Sequence, residues 1–107
     1  MDYRHFEVRS RLNNQIYRCH FVYLQTAISL RHSDTVDVKF LVNGTGVVVA
    51  LPHTAWVEYQ NKTGRPLTDE LAAQVAAALL REALERGDDI ELLDLSPTVE
   101  RVVALAQ

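Results

Sequence analysis

The dipeptide Asn43-Gly44 stands between two runs in which every second residue is apolar: Val36, Val38, Phe40 and Val42 before it, Val47, Val49 and Leu51 after Thr45. A period of two puts those side chains on one face of a strand, and Asn-Gly suits the positive-φ positions of a two-residue hairpin turn. Residues 36–51 are thereby constrained to a β-hairpin in which Val42 faces Thr45, Phe40 faces Val47 and Val38 faces Val49. Its reverse face is only partly polar, since Leu41, Val48 and Ala50 stand there beside Asp37 and Lys39.

The preceding segment repeats the pattern. Phe6, Val8, Ser10 and Leu12 alternate with His5, Glu7, Arg9 and Arg11, and after Asn13-Asn14 the set Tyr17, Cys19, Phe21, Tyr23 alternates with Arg18, His20 and Val22. Asn tolerates positive φ, so a two-residue turn at Asn13-Asn14 would pair Ser10 with Tyr17, Val8 with Cys19 and Phe6 with Phe21. The phase changes beyond Tyr23, where Ile28 and Leu30 continue the even positions; a bulge or break near Gln25 accounts for the switch.

From Pro52 the period lengthens. Ala55, Trp56 and Tyr59 recur at helical spacing before Gly64 and Pro66, so a short helix over residues 53–62 is favoured over a fifth strand. Thr68 caps a long helix with Asp69 and Glu70 in its first turn, Arg86 in its last and Gly87 beyond its end, charges that complement the helix dipole. Residues 90–95 can form a short strand, and Ser96-Pro97 reads as the cap and first residue of a final helix with Val99, Val102, Val103 and Ala106 inward. Strands preceding helices favour one α+β domain over residues 1–107, with an antiparallel sheet of four to five strands packed against one long helix and shorter ones.

The apolar positions Leu71, Ala72, Val75, Ala76, Leu79, Leu80, Ala83 and Leu84 spread over more than half the long helix, leaving Gln74, Arg81, Glu82 and Glu85 as a narrow polar strip. That arc is wider than one sheet contact requires. Either the flanking helices cover the remainder, or a second copy does, and the expected partner is accordingly a homodimer mate.

Charge is divided along the chain. Residues 1–31 hold Arg4, Arg9, Arg11, Arg18 and Arg31 against Asp2 and Glu7, a local +3, while the remainder carries −6, for a net −3. The acidic balance disfavours a nucleic-acid partner. The longest stretch free of formal charge is interrupted by Asn43, Gly44, Gly46 and Pro52, so no membrane span is expected. A single cysteine, Cys19, excludes an intrachain disulfide and, with no apolar leader at Met1–His5, points to a reducing cytoplasm.

Two clusters bear on chemistry. In the register set by Asn13-Asn14, Arg9 lies opposite Arg18 with Arg11 on the same face, an unfavourable arrangement unless an anion or acidic surface lies between them. In that register Glu7 faces His20 with His5 diagonal to it, which has the composition of a two-histidine, one-carboxylate metal site. Other groupings lack the geometry their letters imply. His32-Ser33-Asp34 is too local for a nucleophilic triad. Gly44-Thr45-Gly46 lies in a hairpin rather than a phosphate loop. Asp88, Asp89, Glu91 and Asp94 lack calcium-loop spacing. Cys19 falls on the apolar face without an activating neighbour, and Trp56 and Tyr59 near His53 suit a core better than a ligand cage. With no catalytic set and no cofactor expected, the sequence predicts a small interaction or regulatory module. It would bind a protein or an anionic small molecule through Arg9, Arg11, Arg18 and His20, with a metal-dependent protein using His5, Glu7 and His20 as the alternative.

Overall fold

The computed structural model describes residues 2–27, 34–89 and 95–107. Strands β1 (His5–Arg9), β2 (Ile16–Ala27), β3 (Thr35–Val42) and β4 (Thr45–Pro52) precede helices α1 (Thr54–Thr63), α2 (Asp69–Arg86) and α3 (Val99–Ala106). The strands form one antiparallel sheet in the order β1-β2-β3-β4, so each pairs with its neighbour in sequence. This is the α+β arrangement read from the sequence, with the sheet at four strands among the described residues and the segment after Pro52 helical.

The β3–β4 hairpin has the expected register: Val42 pairs with Thr45, Phe40 with Val47 and Val38 with Val49. Asn43 and Gly44 both take positive φ, 49° and 86°, the backbone that a tight two-residue turn needs. The inward residues Val38, Phe40, Val42, Val49 and Leu51 are fully buried. They pack on α2, whose Ala72, Ala76, Ala77, Leu80, Ala83 and Leu84 are buried as well. Burying each large aliphatic side chain is worth about 1.5–3 kcal/mol, so this layer dominates the stability of the fold.

The β1–β2 register differs from the expected one by two residues: Phe6 pairs with Cys19, Glu7 with Arg18, Val8 with Tyr17 and Arg9 with Ile16. The connection is not a two-residue turn. Only Asn14 takes positive φ, at 59°, and the loop is closed by its own polar groups. The Ser10 N–H donates to the Gln15 carbonyl at 2.9 Å, and the Gln15 N–H donates to the Asn13 side chain at 2.9 Å. A tertiary contact holds this longer loop in place, because the Arg11 N–H donates to the Glu85 carbonyl at 3.0 Å in the last turn of α2. That carbonyl is one of those a helix end leaves without an internal partner. A shift by two preserves the face of each paired residue from His5 to Arg9 and from Ile16 to His20 while every cross-strand pair changes, whereas Leu12 leaves the apolar face for the exposed loop and Tyr23, past the bulge, comes to lie opposite Lys39.

Two further boundaries move, and a third expectation lies mostly outside the described residues. The β2 irregularity falls between Phe21 and Tyr23 rather than near Gln25. Helix α3 is capped by Thr98, whose side chain accepts the Arg101 N–H, so Ser96-Pro97 precedes the helix instead of starting it. Of the strand expected over 90–95, only Leu95 lies within the described residues, and its carbonyl accepts the Ala50 N–H at 2.8 Å beside β4.

Helix α2 begins and ends as its sequence dictates, with the Thr68 side chain accepting the Leu71 N–H and Gly87 left-handed at the C-cap. Its broad apolar arc is sheltered within the chain: the sheet lies on one side and α3, whose Val102, Val103 and Ala106 are buried, on another. Leu71 and Ala78 alone among its apolar residues are half-buried. The physical premise for pairing two copies through α2, an uncovered apolar flank, is therefore absent. No helix among the described residues is long and apolar enough to cross a membrane.

Candidate functional site

With the helices packed on its inner face, the sheet presents its other face to solvent. His5, Glu7 and Arg9 of β1, Ile16, Arg18, His20 and Val22 of β2, and Leu41 of β3 are exposed there. Antiparallel pairing brings His5, His20, Leu41 and Gly46 into one row across all four strands. Lys39 crosses the neighbouring row, with its Nζ 5.8 Å from the Tyr23 ring centroid.

The observed register rearranges both clusters. His5 stands directly opposite His20, with Nδ1 atoms 2.8 Å apart and ring centroids 4.8 Å apart at nearly a right angle. One imidazole donates its Nδ1–H and the other accepts. Glu7 faces Arg18 instead of His20, and its carboxylate lies 3.6 Å from the Arg18 Nε. Both side chains are well exposed, so the pair is worth at most about 1 kcal/mol. Arg9 lies opposite Ile16, and the expected clash with Arg18 does not occur. Arg11 leaves the strand face altogether: it sits in the Ser10–Gln15 loop and reaches Glu85 of α2 at 3.6 Å. Of the four residues expected to bind a ligand, Arg9, Arg18 and His20 share the open face and Arg11 does not.

His5, Glu7, Arg18 and His20, with Phe6 and Cys19 beneath, line a shallow depression of about 240 Å³. That is smaller than the roughly 300–1,000 Å³ of typical cofactor and drug-sized pockets, so it suits an ion or a single side chain. Among the described residues, no three His, Cys, Asp or Glu side chains converge on a common point. The expected three-ligand arrangement is therefore reduced to the histidine pair. Cys19 points into the core, and burial pushes its thiol up to about 11, with the nearby Arg81 only partly opposing this.

Arg81 was grouped by sequence with the polar strip of α2, yet it works at the sheet. Its Nη2 donates to the Glu7 carbonyl at 3.3 Å and its Cζ stands 5.9 Å from the Phe6 ring centroid, so it covers part of the free edge of β1. Its Nε is buried without a hydrogen-bond partner. No local signal marks this role, because it depends on how α2 crosses β1.

The other groupings resolve as structure. His53 stacks on half-buried Trp56 with centroids 6.0 Å apart, while Tyr59 is buried in the core. His32 and Ser33, and likewise Glu91 and Asp94, lie outside the described residues. Comparison with protein-family models, curated proteins and solved structures finds no match to this chain.

Proposed function

We propose that this chain is a small interaction module that docks the open face of its sheet on an acidic segment of a partner protein. The observation that carries this reading is the composition of that face. Ile16, Val22 and Leu41, three of the exposed large hydrophobics, lie among Arg9, Arg18, His20 and Lys39. Interspersed aliphatic and arginine side chains combine apolar contact with donors for carboxylates, and arginine is among the residues enriched at recognition surfaces. Arg9 and Lys39 are strand cations with no acid directly opposite them, and the Glu7–Arg18 pair is exposed enough to open for a competing carboxylate. The division of charge between the arginine-rich first 31 residues and the acidic remainder makes a second copy of the chain one such partner.

Binding of a fluorescent peptide that alternates glutamate with leucine tests the proposal. Titration should saturate, and Arg9→Ala with Arg18→Ala should weaken binding about tenfold, as should raising the salt well above physiological strength. Saturable binding that ignores both changes would place the contact elsewhere, and no binding would remove the role. Sedimentation of the chain alone identifies whether a second copy takes the peptide's place.

A further inference from the structure

We infer that His5 and His20 form a two-imidazole site for a divalent transition-metal ion of tetragonal preference, with Cu²⁺ the ion held most tightly. The two side chains stand directly opposite each other at the end of the β1–β2 ladder, where the next pairs, Phe6 with Cys19 and Glu7 with Arg18, on one side and the Phe21 N–H donating to the Arg4 carbonyl at 3.0 Å on the other fix the spacing of their backbones. Their Nδ1 atoms are 2.8 Å apart. For metal–nitrogen bonds of about 2.0 Å, two donors at a right angle lie ~2.8 Å apart, whereas a tetrahedral angle requires ~3.3 Å. The 2.8 Å separation is that of the hydrogen bond between the rings, and it leaves them close enough to take adjacent corners of a square-planar or octahedral ion once they turn. Cu²⁺ both prefers that geometry and heads the affinity order for nitrogen donors.

Without metal, one ring donates its Nδ1–H to the other. Binding requires that ring to adopt its Nε2–H tautomer, which frees both Nδ1 lone pairs without net loss of a proton. Both rings are exposed, so they can turn about χ2, a broad torsion, to aim those lone pairs at one point. The remaining coordination positions fall to water or to a donor on a bound molecule. Among the described residues no third His, Cys, Asp or Glu converges on the pair, with Glu7 turned to Arg18 and Cys19 facing the core. The depression beside the rings has room for a hydrated ion. This site shares His20 and the open sheet face with the proposed peptide contact but does not rest on it, since that contact needs no metal.

Untagged full-length chain titrated with Cu²⁺ provides the test, followed by calorimetry and electron paramagnetic resonance. The expected result is one ion per chain with an axial spectrum split by two nitrogens. His5→Asn and His20→Asn should each weaken binding about tenfold or more, and His53→Asn should not change it. A second readout uses the unaltered chain: substoichiometric Cu²⁺ should broaden the nuclear resonances of His5 and His20 before any others. Equal affinity in the His5→Asn/His20→Asn double variant, broadening centred on His53 or the chain terminus, or no saturable binding would overturn the assignment.

Discussion

Cys19 shows how one residue's chemistry is set by where the strand period places it. Alternation put it on the apolar face, and the side chain is 1 % exposed there. Burial favours the neutral thiol and pushes its pKa up to about 11, against the opposing pull of Arg81. The thiolate is the reactive form, so the native protein should resist a disulfide reagent at pH 8 and react only when unfolded. Between pH ~9 and 11 the unfolded chain releases this proton while the native chain keeps it, so the unfolded state binds fewer protons and stability falls as pH rises. Denaturant melts of Cys19→Ala beside the parent should show a shallower decline in that window. Rapid native-state labelling, or identical pH slopes, would mean that Cys19 is not enclosed as described. Arg81 teaches the converse lesson. Its neighbours in sequence say only that it lies on a polar helical strip, and its contact with Glu7 and Phe6 comes from packing that no local pattern encodes.

Among elements, the parts legible in sequence are those whose local signals agree with their packing. Asn43-Gly44 fixes the β3–β4 register, and Thr68 with Gly87 brackets α2, because turn and cap chemistry act within a few residues. The β1–β2 register was not legible, since its loop is closed through Arg11 on the end of α2, more than seventy residues away. Face assignment held along β1 and as far as Phe21 because it depends on parity, the bulge moved Tyr23 beside Lys39 on the open face, and the site's partners changed because they depend on register. This explains why the cross-strand partner of His20 is His5 and not Glu7. The docking of that loop on α2 makes a specific prediction. Gly64 and Gly87 are both left-handed, yet a Cβ at Gly64 meets nothing within 4 Å, whereas one at Gly87 falls 2.7 Å from the Cβ of Leu12. Asn tolerates the left-handed backbone, so Gly64→Asn should cost about 0.5 kcal/mol or less. Gly87→Asn should cost roughly 2 kcal/mol, because the loop must be displaced. Urea denaturation measures both, and equal losses would show that Leu12 does not press on the helix end.

On the scale of the whole molecule, the three helices among the described residues gather on one side of the β1–β4 sheet. The broad apolar arc of α2 is satisfied inside the chain by the strands and α3, which leaves the opposite sheet face as the surface open to recognition. The sequence could count the apolar positions of α2 but not how much of them the flanking helices would cover, and that quantity decides where a partner can dock. Nuclear magnetic resonance mapping of amide shifts, with the glutamate–leucine peptide titrated into isotope-labelled chain, examines the docking face directly. Shifts should cluster on the exposed positions of β1 and β2 and at Leu41, with Val102, Val103 and the buried positions of α2 unmoved; shifts centred on α2 and α3 would contradict the account.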